Sequence, residues 1–126
     1  MIRAIIAEDH PTLRNAIRAL VESYPALIVG EAENGLEATR AVEREQPDLA
    51  ILDVSMPVMN GLVAARCIGT LDPQLPIIMV TEHTEFTYVE EAFRCGARGY
   101  VAKARAATHL HAAIQAVLAG RVYKSI

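Results

Sequence analysis

Four short apolar runs constrain the fold of this chain more than any other feature of its sequence. The runs extend over Ile2 to Ala7, Leu49 to Leu52, Ile77 to Val80 and Gly99 to Ala102. Because they are continuous rather than alternating, they predict strands of a parallel sheet that is buried on both faces. A weaker run, Leu27 to Gly30 with Ala32, predicts a further strand near one edge of that sheet.

Segments with helical spacing separate the predicted strands. Apolar residues recur there at intervals of three and four, which is typical of helices with one buried face. The residues that mark the five helices are Leu13 and Ile17; Leu36 and Val42, with Thr39 between them; Leu62, Ala65 and Ile68; Val89 and Phe93; and Leu110 and Ile114. Alternation of strands and helices predicts a doubly wound α/β domain with right-handed crossovers.

Composition narrows the class of protein further. The chain has 126 residues, of which 52% are hydrophobic and 21% charged, which fits one folded domain and excludes a disordered chain. The net charge of -3 disfavours binding to the nucleic-acid backbone by this chain alone. No apolar run approaches the roughly 18 residues of a membrane span. Cys67 and Cys95 lack metal or redox spacing, which indicates reduced thiols in a cytoplasmic protein.

Polar residues follow four of the predicted strands at the points where those strands end. They are Glu8 and Asp9 after the first strand, then Asp53, Thr81 and Lys103. Ligands of doubly wound sheets bind beyond the carboxyl ends of the strands, so we expect these side chains to form one site. Taken singly, each has an ordinary alternative, such as a helix N-cap for Asp9 or a solvated side chain for Lys103. Their coincidence at four strand ends favours a functional site.

The chemistry of this set favours a metal-assisted phosphoryl transfer. Carboxylate oxygens without cysteine favour a hard divalent cation, Mg²⁺ or Mn²⁺. A carboxylate can attack phosphorus, a hydroxyl can donate to a phosphoryl oxygen, and an ammonium can balance its charge. The residue types therefore predict phosphoryl transfer onto Asp53, assisted by Thr81 and Lys103.

The same residues resemble the receiver domain of bacterial two-component response regulators, over essentially the whole chain. The matching pieces are the pair Glu8-Asp9, the stretch from Asp53 to Pro57 with Asn60-Gly61, Thr81, and the stretch from Gly99 to Lys103. The resemblance implies one receiver domain over residues 1–126. It also implies a flavodoxin-like (βα)5 fold, with a five-stranded parallel sheet of order 2-1-3-4-5 flanked by five helices.

The resemblance also implies roles for the acidic residues. Asp53 is expected to accept a phosphoryl group from the phosphohistidine of a partner, a sensor histidine kinase. Asp9, Asp53 and the backbone carbonyl of Ser55 are expected to hold the Mg²⁺ or Mn²⁺, and Glu8 is expected to act on it through water. This chemistry is that of a signalling switch rather than of an enzyme that turns over a substrate.

The resemblance implies that three more residues respond to the phosphoryl group or stabilise it. Thr81 and Tyr100 resemble the switch pair of the family, in which the hydroxyl moves toward the phosphoryl group and the aromatic ring swings inward. Lys103 resembles the lysine that pairs with the phosphate. Thr81 and Lys103 follow predicted strands, and Tyr100 lies within the predicted strand Gly99 to Ala102.

Two segments are similar to the NarL/FixJ subfamily, whose members carry a LuxR-type helix-turn-helix after the receiver. They are the stretch from Thr81 to His83 and the stretch from Ala119 to Tyr123. The similarity predicts control of transcription, with DNA bound only through a domain outside residues 1–126, and a homodimer through the first and last helices. The alternative is a stand-alone receiver.

Three departures from the family pattern lead to expectations of their own. Glu8 replaces a commoner aspartate and adds a methylene to the metal site. Ala104 replaces a common cis proline, and since a cis bond before alanine would cost about 3 kcal/mol, a trans peptide is predicted. Glu82 replaces a small residue, and we expect its charge to repel phosphodonors and to gate the site.

Three other functions are weighed against this prediction. A phosphohydrolase of the haloacid dehalogenase type needs a second aspartate two residues after its nucleophile, where this chain has Ser55. An FMN-binding flavodoxin needs a phosphate loop after the first strand, where this chain has the acidic pair. A degenerate receiver acting only through protein contacts is disfavoured by the intact set of Asp9, Asp53, Thr81 and Lys103.

Overall fold

The computed structural model describes residues 1–126 as a parallel sheet with helices on both faces. The strands are β1 (Ile2–Ala7), β2 (Ala26–Ala32), β3 (Leu49–Leu52), β4 (Ile77–Thr81), β5 (Gly99–Ala102) and β6 (Tyr123–Ser125). The helices are α1 (Pro11–Glu22), α2 (Gly35–Glu45), α3 (Gly61–Leu71), α4 (Phe86–Arg94) and α5 (Ala106–Leu118). The strand order is β2-β1-β3-β4-β5-β6, and every neighbouring pair is parallel.

The predicted fold class is confirmed, and the sheet has one strand more than the five predicted. Tyr123–Ser125 adds β6 beside β5, so the predicted order 2-1-3-4-5 is extended to a sixth strand. A three-residue strand containing a lysine has no apolar pattern from which to predict it. Pairing with β5 holds it together with two side-chain contacts: Arg105 Nε donates to Ser125 Oγ at 2.9 Å, and His109 Nδ1 lies 3.0 Å from the Tyr123 hydroxyl.

The core lies in two layers, one on each face of the sheet. All residues of β3, β4 and β5 are buried, as their continuous apolar sequences predict. One layer packs the sheet against α2, α3 and α4, and the other packs it against α1 and α5. Successive strand residues contribute to opposite layers, with Ile5 in the first and Ile6 in the second. Both faces are covered, so the carboxyl-end edge is the exposed place for polar groups.

The helices are short, and their connections follow local sequence signals. Asn34 and Asn60 cap α2 and α3, each accepting a backbone N–H of the first turn at 2.9 Å. The longest helix has 13 residues, and none is long and apolar enough to span a membrane. After β5 the chain passes through a 3-10 turn, Lys103–Arg105, and the predicted trans peptide before Ala104 is confirmed. Both cysteines are free thiols.

Candidate functional site

The carboxyl ends of the strands place the polar residues at one edge of the sheet. In the register of the parallel strands, Ala7 pairs with Leu52 and Thr81 pairs with Ala102, so the residues that follow emerge together. Lys103 makes the closest contacts, because its Nζ lies 3.0 Å from Asp53 Oδ2 and 2.6 Å from Glu8 Oε1. The structure therefore brings residues from the ends of three strands into direct contact.

Lys103 balances two carboxylates that have almost no access to solvent. Glu8 is fully buried and Asp53 is 5% exposed. Burial by itself would lower the pKa of Lys103, but hydrogen bonding and charge from Glu8 and Asp53 outweigh it and raise that pKa. One ammonium faces two carboxylates, which leaves an excess of negative charge before Asp9 is counted.

Asp9 and His10 extend the acidic group toward the surface. His10 donates its backbone N–H to Glu8 Oε2 at 3.1 Å, and its Nδ1 lies 3.3 Å from Asp9 Oδ1. Donor atoms of Glu8, Asp9 and His10 all lie within 4.8 Å of one another. Asp9 is not the N-cap of α1, because His10 occupies that position and makes no side-chain cap.

The predicted ligands Asp9, Asp53 and the Ser55 carbonyl have the chemistry to bind a divalent cation. Asp9 Oδ1 is buried and accepts no hydrogen bond, and the backbone carbonyl of Ser55 accepts none from the protein. Unsatisfied oxygens beside an excess of negative charge are the donor set that hard cations prefer. The predicted ligands therefore retain oxygen atoms with which to bind a metal ion.

The backbone of Asp53 is held on both sides. Its N–H donates to the Ala7 carbonyl at 3.0 Å, which ties it to β1. Gly61, the first residue of α3, donates its N–H to Val54 at 2.8 Å, and a Cβ at Gly61 would lie 1.9 Å from the Asp53 carbonyl oxygen. The sequence marks Asn60-Gly61 as a turn, but this close approach is visible only in the structure.

The loop between β3 and α3 contains a residue in an unfavourable backbone conformation. Val58 has a φ of 67°, in the left-handed region, and its side chain is 79% exposed. A β-branched residue there is a genuine outlier, because Cβ crowds the backbone. Nothing in the sequence pattern indicates it, since glycine is the residue expected at such a φ.

The predicted switch pair is brought together through the backbone of His83. Thr81 is fully buried, and its Oγ1 accepts the His83 N–H at 3.3 Å. Tyr100 is also fully buried, and its hydroxyl donates to the His83 carbonyl at 2.7 Å. Burial, with the charges of Glu85 and Asp53 and the neighbouring Tyr88, raises the pKa of Tyr100 to about 12. The aromatic ring of the pair thus lies inward in this structure.

His83 is a residue that the sequence analysis missed. Its Nε2 lies 2.6 Å from Ser55 Oγ, and its ring stacks on Tyr88 with centroids 4.2 Å apart and planes 17° apart. No sequence spacing indicates these contacts, because Ser55 is 28 residues away in a different loop. The only signal is its position two residues after Thr81, at the end of β4.

A small cavity of about 80 Å³ lies over the Asp53 carboxylate. Its lining comprises His10, Asp53, Ser55, Thr81, Glu82, His83 and Lys103. Glu82 is exposed and lies at this cavity, so it occupies the position that gating would require. A wider open groove, which Ser55 and Tyr88 help to line, adjoins the same loops.

Comparison with known proteins agrees with this geometry. A family model described as the response regulator receiver domain matches residues 4–115. A crystal structure of a LuxR-family two-component response regulator from Aurantimonas sp. SI85-9A1 superposes with a TM-score of 0.93 and 35% identity. The match covers 98% of this chain and 89% of that one.

Two relatives differ in how much of their length the match covers. Response regulator UvrY of Escherichia coli K12 is 34% identical over 98% of this chain, but the chain covers only 57% of UvrY. Protein CcdB of Bacillus subtilis is 34% identical over 94% of this chain, which covers 98% of CcdB. The chain thus spans little more than half of the transcriptional regulators that it matches, and nearly all of a shorter relative.

Proposed function

Because the chain belongs to the receiver domains of two-component response regulators, we propose that Asp53 accepts a phosphoryl group from the phosphohistidine of a sensor histidine kinase. One observation carries the proposal. Lys103 binds Asp53 Oδ2 at 3.0 Å, while Asp53 Oδ1 accepts no hydrogen bond and is free to act as the nucleophile. The domain acts as a signalling switch, and its chemistry is limited to gaining and losing its own phosphoryl group.

The transfer balances as a simple displacement at phosphorus. Asp53 Oδ1 forms the new O–P bond while the P–N bond to the donor imidazole breaks, and that electron pair stays on the nitrogen, which takes a proton from water. Lys103 neutralises charge on the phosphoryl oxygens. Thr81 keeps its hydroxyl proton for them, since its oxygen already accepts the N–H of His83.

The cation that belongs with this reaction is Mg²⁺ or Mn²⁺. Asp9, Asp53 and the carbonyl of Ser55 would hold it, and Glu8, which already pairs with Lys103, would act through water. When bound, the ion offsets the repulsion between the carboxylates and an incoming phosphoryl group. The buried and unbonded Asp9 Oδ1 supports this assignment.

For the whole protein we propose transcriptional control from the cytoplasm. Similarity to LuxR-family regulators supports an attached DNA-binding domain, and the α1 and α5 helices would form the homodimer interface. A stand-alone receiver that signals through protein contacts is the second candidate. Similarity to CcdB, which this chain covers almost completely, favours that candidate.

Intact-mass spectrometry after incubation with acetyl phosphate and Mg²⁺ tests the acceptor assignment. Wild type is expected to gain one phosphoryl group, and Asp53→Ala none. A gain in both proteins would place the acceptor elsewhere. No gain in wild type, together with no response to beryllofluoride, would overturn the proposed function in favour of phosphorylation-independent partner binding.

Gating by Glu82 is tested with the same donor. Removing its charge in Glu82→Gln should speed labelling a few-fold, because like charges about 4 Å apart in water repel by about 1 kcal/mol. Glu43→Gln, at an exposed glutamate of α2 outside the cavity lining, serves as the control. Equal labelling rates and equal phosphoryl lifetimes in wild type and Glu82→Gln would refute gating.

A further inference from the structure

We propose that the His83 side chain couples the acceptor site to helix α4, so that a group bound at Asp53 is sensed at Tyr88. The proposal rests on the proposed function, since it concerns how the phosphorylated state is transmitted. His83 acts through other residues, which makes it a positioning residue rather than a catalytic one.

The backbone of His83 fixes the position of its side chain. Its N–H bonds the hydroxyl of Thr81 at 3.3 Å, and its carbonyl accepts the hydroxyl of Tyr100 at 2.7 Å. Both partners are fully buried, so the loop is anchored from beneath at this one residue. The neighbours Glu82 and Thr84 are exposed, and neither has such an anchor.

The imidazole spans two elements that have no other link through side-chain hydrogen bonds. On one side Nε2 meets Ser55 Oγ at 2.6 Å, two residues after the acceptor. On the other side the ring lies flat on Tyr88 of α4. Aromatic rings stacked at a centroid distance of 4.2 Å attract each other by about 0.5 to 1.5 kcal/mol, so a displacement of the imidazole changes the packing of the Tyr88 ring.

A group attached to Asp53 would lie against the bridge, by which we mean the contacts of the His83 ring with Ser55 and Tyr88. The cavity that would receive it has a volume of about 80 Å³, and both His83 and Ser55 contribute to its lining. Phosphoryl oxygens in that space could hydrogen-bond to the His83 imidazole or to the Ser55 hydroxyl. Either contact would compete with the hydrogen bond between these two side chains. The bridge therefore differs between the free and the occupied site, which is the differential contact that coupling between two sites requires.

Two kinds of variant separate the two halves of the bridge. His83→Phe keeps a ring to stack on Tyr88 and loses the bond to Ser55, and Ser55→Ala removes the same bond from the other side. His83→Gln keeps a side-chain donor and loses the stack.

The readout is the ¹⁹F NMR spectrum of fluorotyrosine-labelled protein, titrated to saturation with beryllofluoride and Mg²⁺. The chain has four tyrosines, so each resonance can be assigned by a tyrosine-to-phenylalanine variant. Tyr100 reports the switch and Tyr88 reports α4. Tyr24 packs on His111 at the far side of the domain and serves as the internal control.

In wild type, Tyr88 and Tyr100 should shift while Tyr24 does not. In His83→Phe, Ser55→Ala and His83→Gln, the Tyr88 shift should be lost, as for Tyr24, while Tyr100 still responds. The double variant Ser55→Ala/His83→Phe should lose no more than either single variant, because both remove the same bond.

Two outcomes overturn the coupling: a full Tyr88 response in both His83→Phe and Ser55→Ala, or a wild type in which Tyr100 responds and Tyr88 does not. Ser55→Ala keeps the test decisive if His83→Phe does not fold, since it deletes only one exposed hydroxyl. Failure of the proposed function looks different, because then no tyrosine responds in wild type and no phosphoryl group is gained.

Discussion

The two sides of the site are built in different ways. The side that we propose receives the phosphoryl group, called the acceptor side, comprises Glu8, Asp53 and Lys103. These residues are buried or partly buried and joined by ion pairs of 2.6 and 3.0 Å. The reader side is the loop of residues 82–85 between β4 and α4, where three of four residues are exposed. His83 is the residue that anchors this loop to the strands beneath it.

The two sides differ in rigidity: the acceptor side is held in place by buried contacts, whereas the reader side has few of them and can move. Buried ion pairs and ladder hydrogen bonds hold the acceptor side in place, and such pre-organisation favours the transfer that we propose. Segments with few buried contacts open at low free energy, and switching elements are drawn from them. The contrast predicts that substitutions on the acceptor side cost stability, whereas those on the reader side mainly change the response.

The largest effect is expected from Lys103→Met. It leaves the carboxylates of Glu8 and Asp53 buried without a counter-charge, which should lower the free energy of unfolding by about 4 kcal/mol at pH 7. Mg²⁺ should restore part of the loss, because it supplies positive charge at the same place. Urea unfolding with and without Mg²⁺ measures both effects.

The matched control is the other lysine, Lys124, which lies 5.6 Å from the ring centroid of Phe93 at the surface. Lys124→Met should cost less than about 1 kcal/mol. If the two variants lose equal stability, the acceptor side is not held by its charges.

Gly61→Ala tests the backbone of the acceptor side. A Cβ there would lie 1.9 Å from the Asp53 carbonyl oxygen, and backbone must shift to admit it. We expect a loss of about 3 kcal/mol in chemical denaturation. Gly69→Ala in the same helix has no atom within 4 Å of its new Cβ and should instead gain about 0.5 to 1 kcal/mol. A loss below about 1 kcal/mol at Gly61 would contradict a tightly fixed acceptor backbone.

The sequence predicts the acceptor side far better than the reader side. Runs such as Leu49 to Leu52 are buried on both faces, so hydrophobicity alone marks the strands, and the strand ends then locate Asp53 and Lys103. The contacts of His83 depend on how one loop lies over another, which no local pattern encodes. Strand β6 is missed for the same reason, because it is held by side chains from α5 and the preceding turn.

Tyr100→Phe probes the reader side through its pH dependence. The pKa of Tyr100 is raised to about 12, so the folded state favours the neutral phenol. The resulting stability is complete below the ordinary tyrosine pKa near 10 and is lost as pH rises through 12, by about 2 kcal/mol. Absorbance titration should show one tyrosine titrating near pH 12, absent in the variant.

In Tyr100→Phe the free energy of unfolding should also fall less steeply than in wild type as pH rises above about 10. Part of the loss should remain, because the raised pKa of Lys103 acts in the same direction. If Tyr100→Phe unfolds with the same pH dependence as wild type, the ring is not held by its hydroxyl, and the anchoring of the reader side must be revised.

The smallest effect, and the one opposite in sign, is expected from Val58→Gly in the loop beside the acceptor. A non-glycine residue at a φ of 67° stores about 1 to 3 kcal/mol of strain, and glycine removes it. Glycine also adds freedom to the unfolded chain, which offsets up to about 1 kcal/mol. Because Val58 is 79% exposed, its side chain contributes little burial, and the balance should be a gain of about 1 kcal/mol.

Val63→Gly provides the matched control, since Val63 is an exposed valine at an ordinary helical φ in α3. That change should lose about 0.5 kcal/mol or more, because glycine is the poorer helix former. Opposite signs for the two variants would show that the loop beside the acceptor side stores backbone strain at Val58. Equal losses of unfolding free energy in the two variants would mean that Val58 carries no strain at its positive φ.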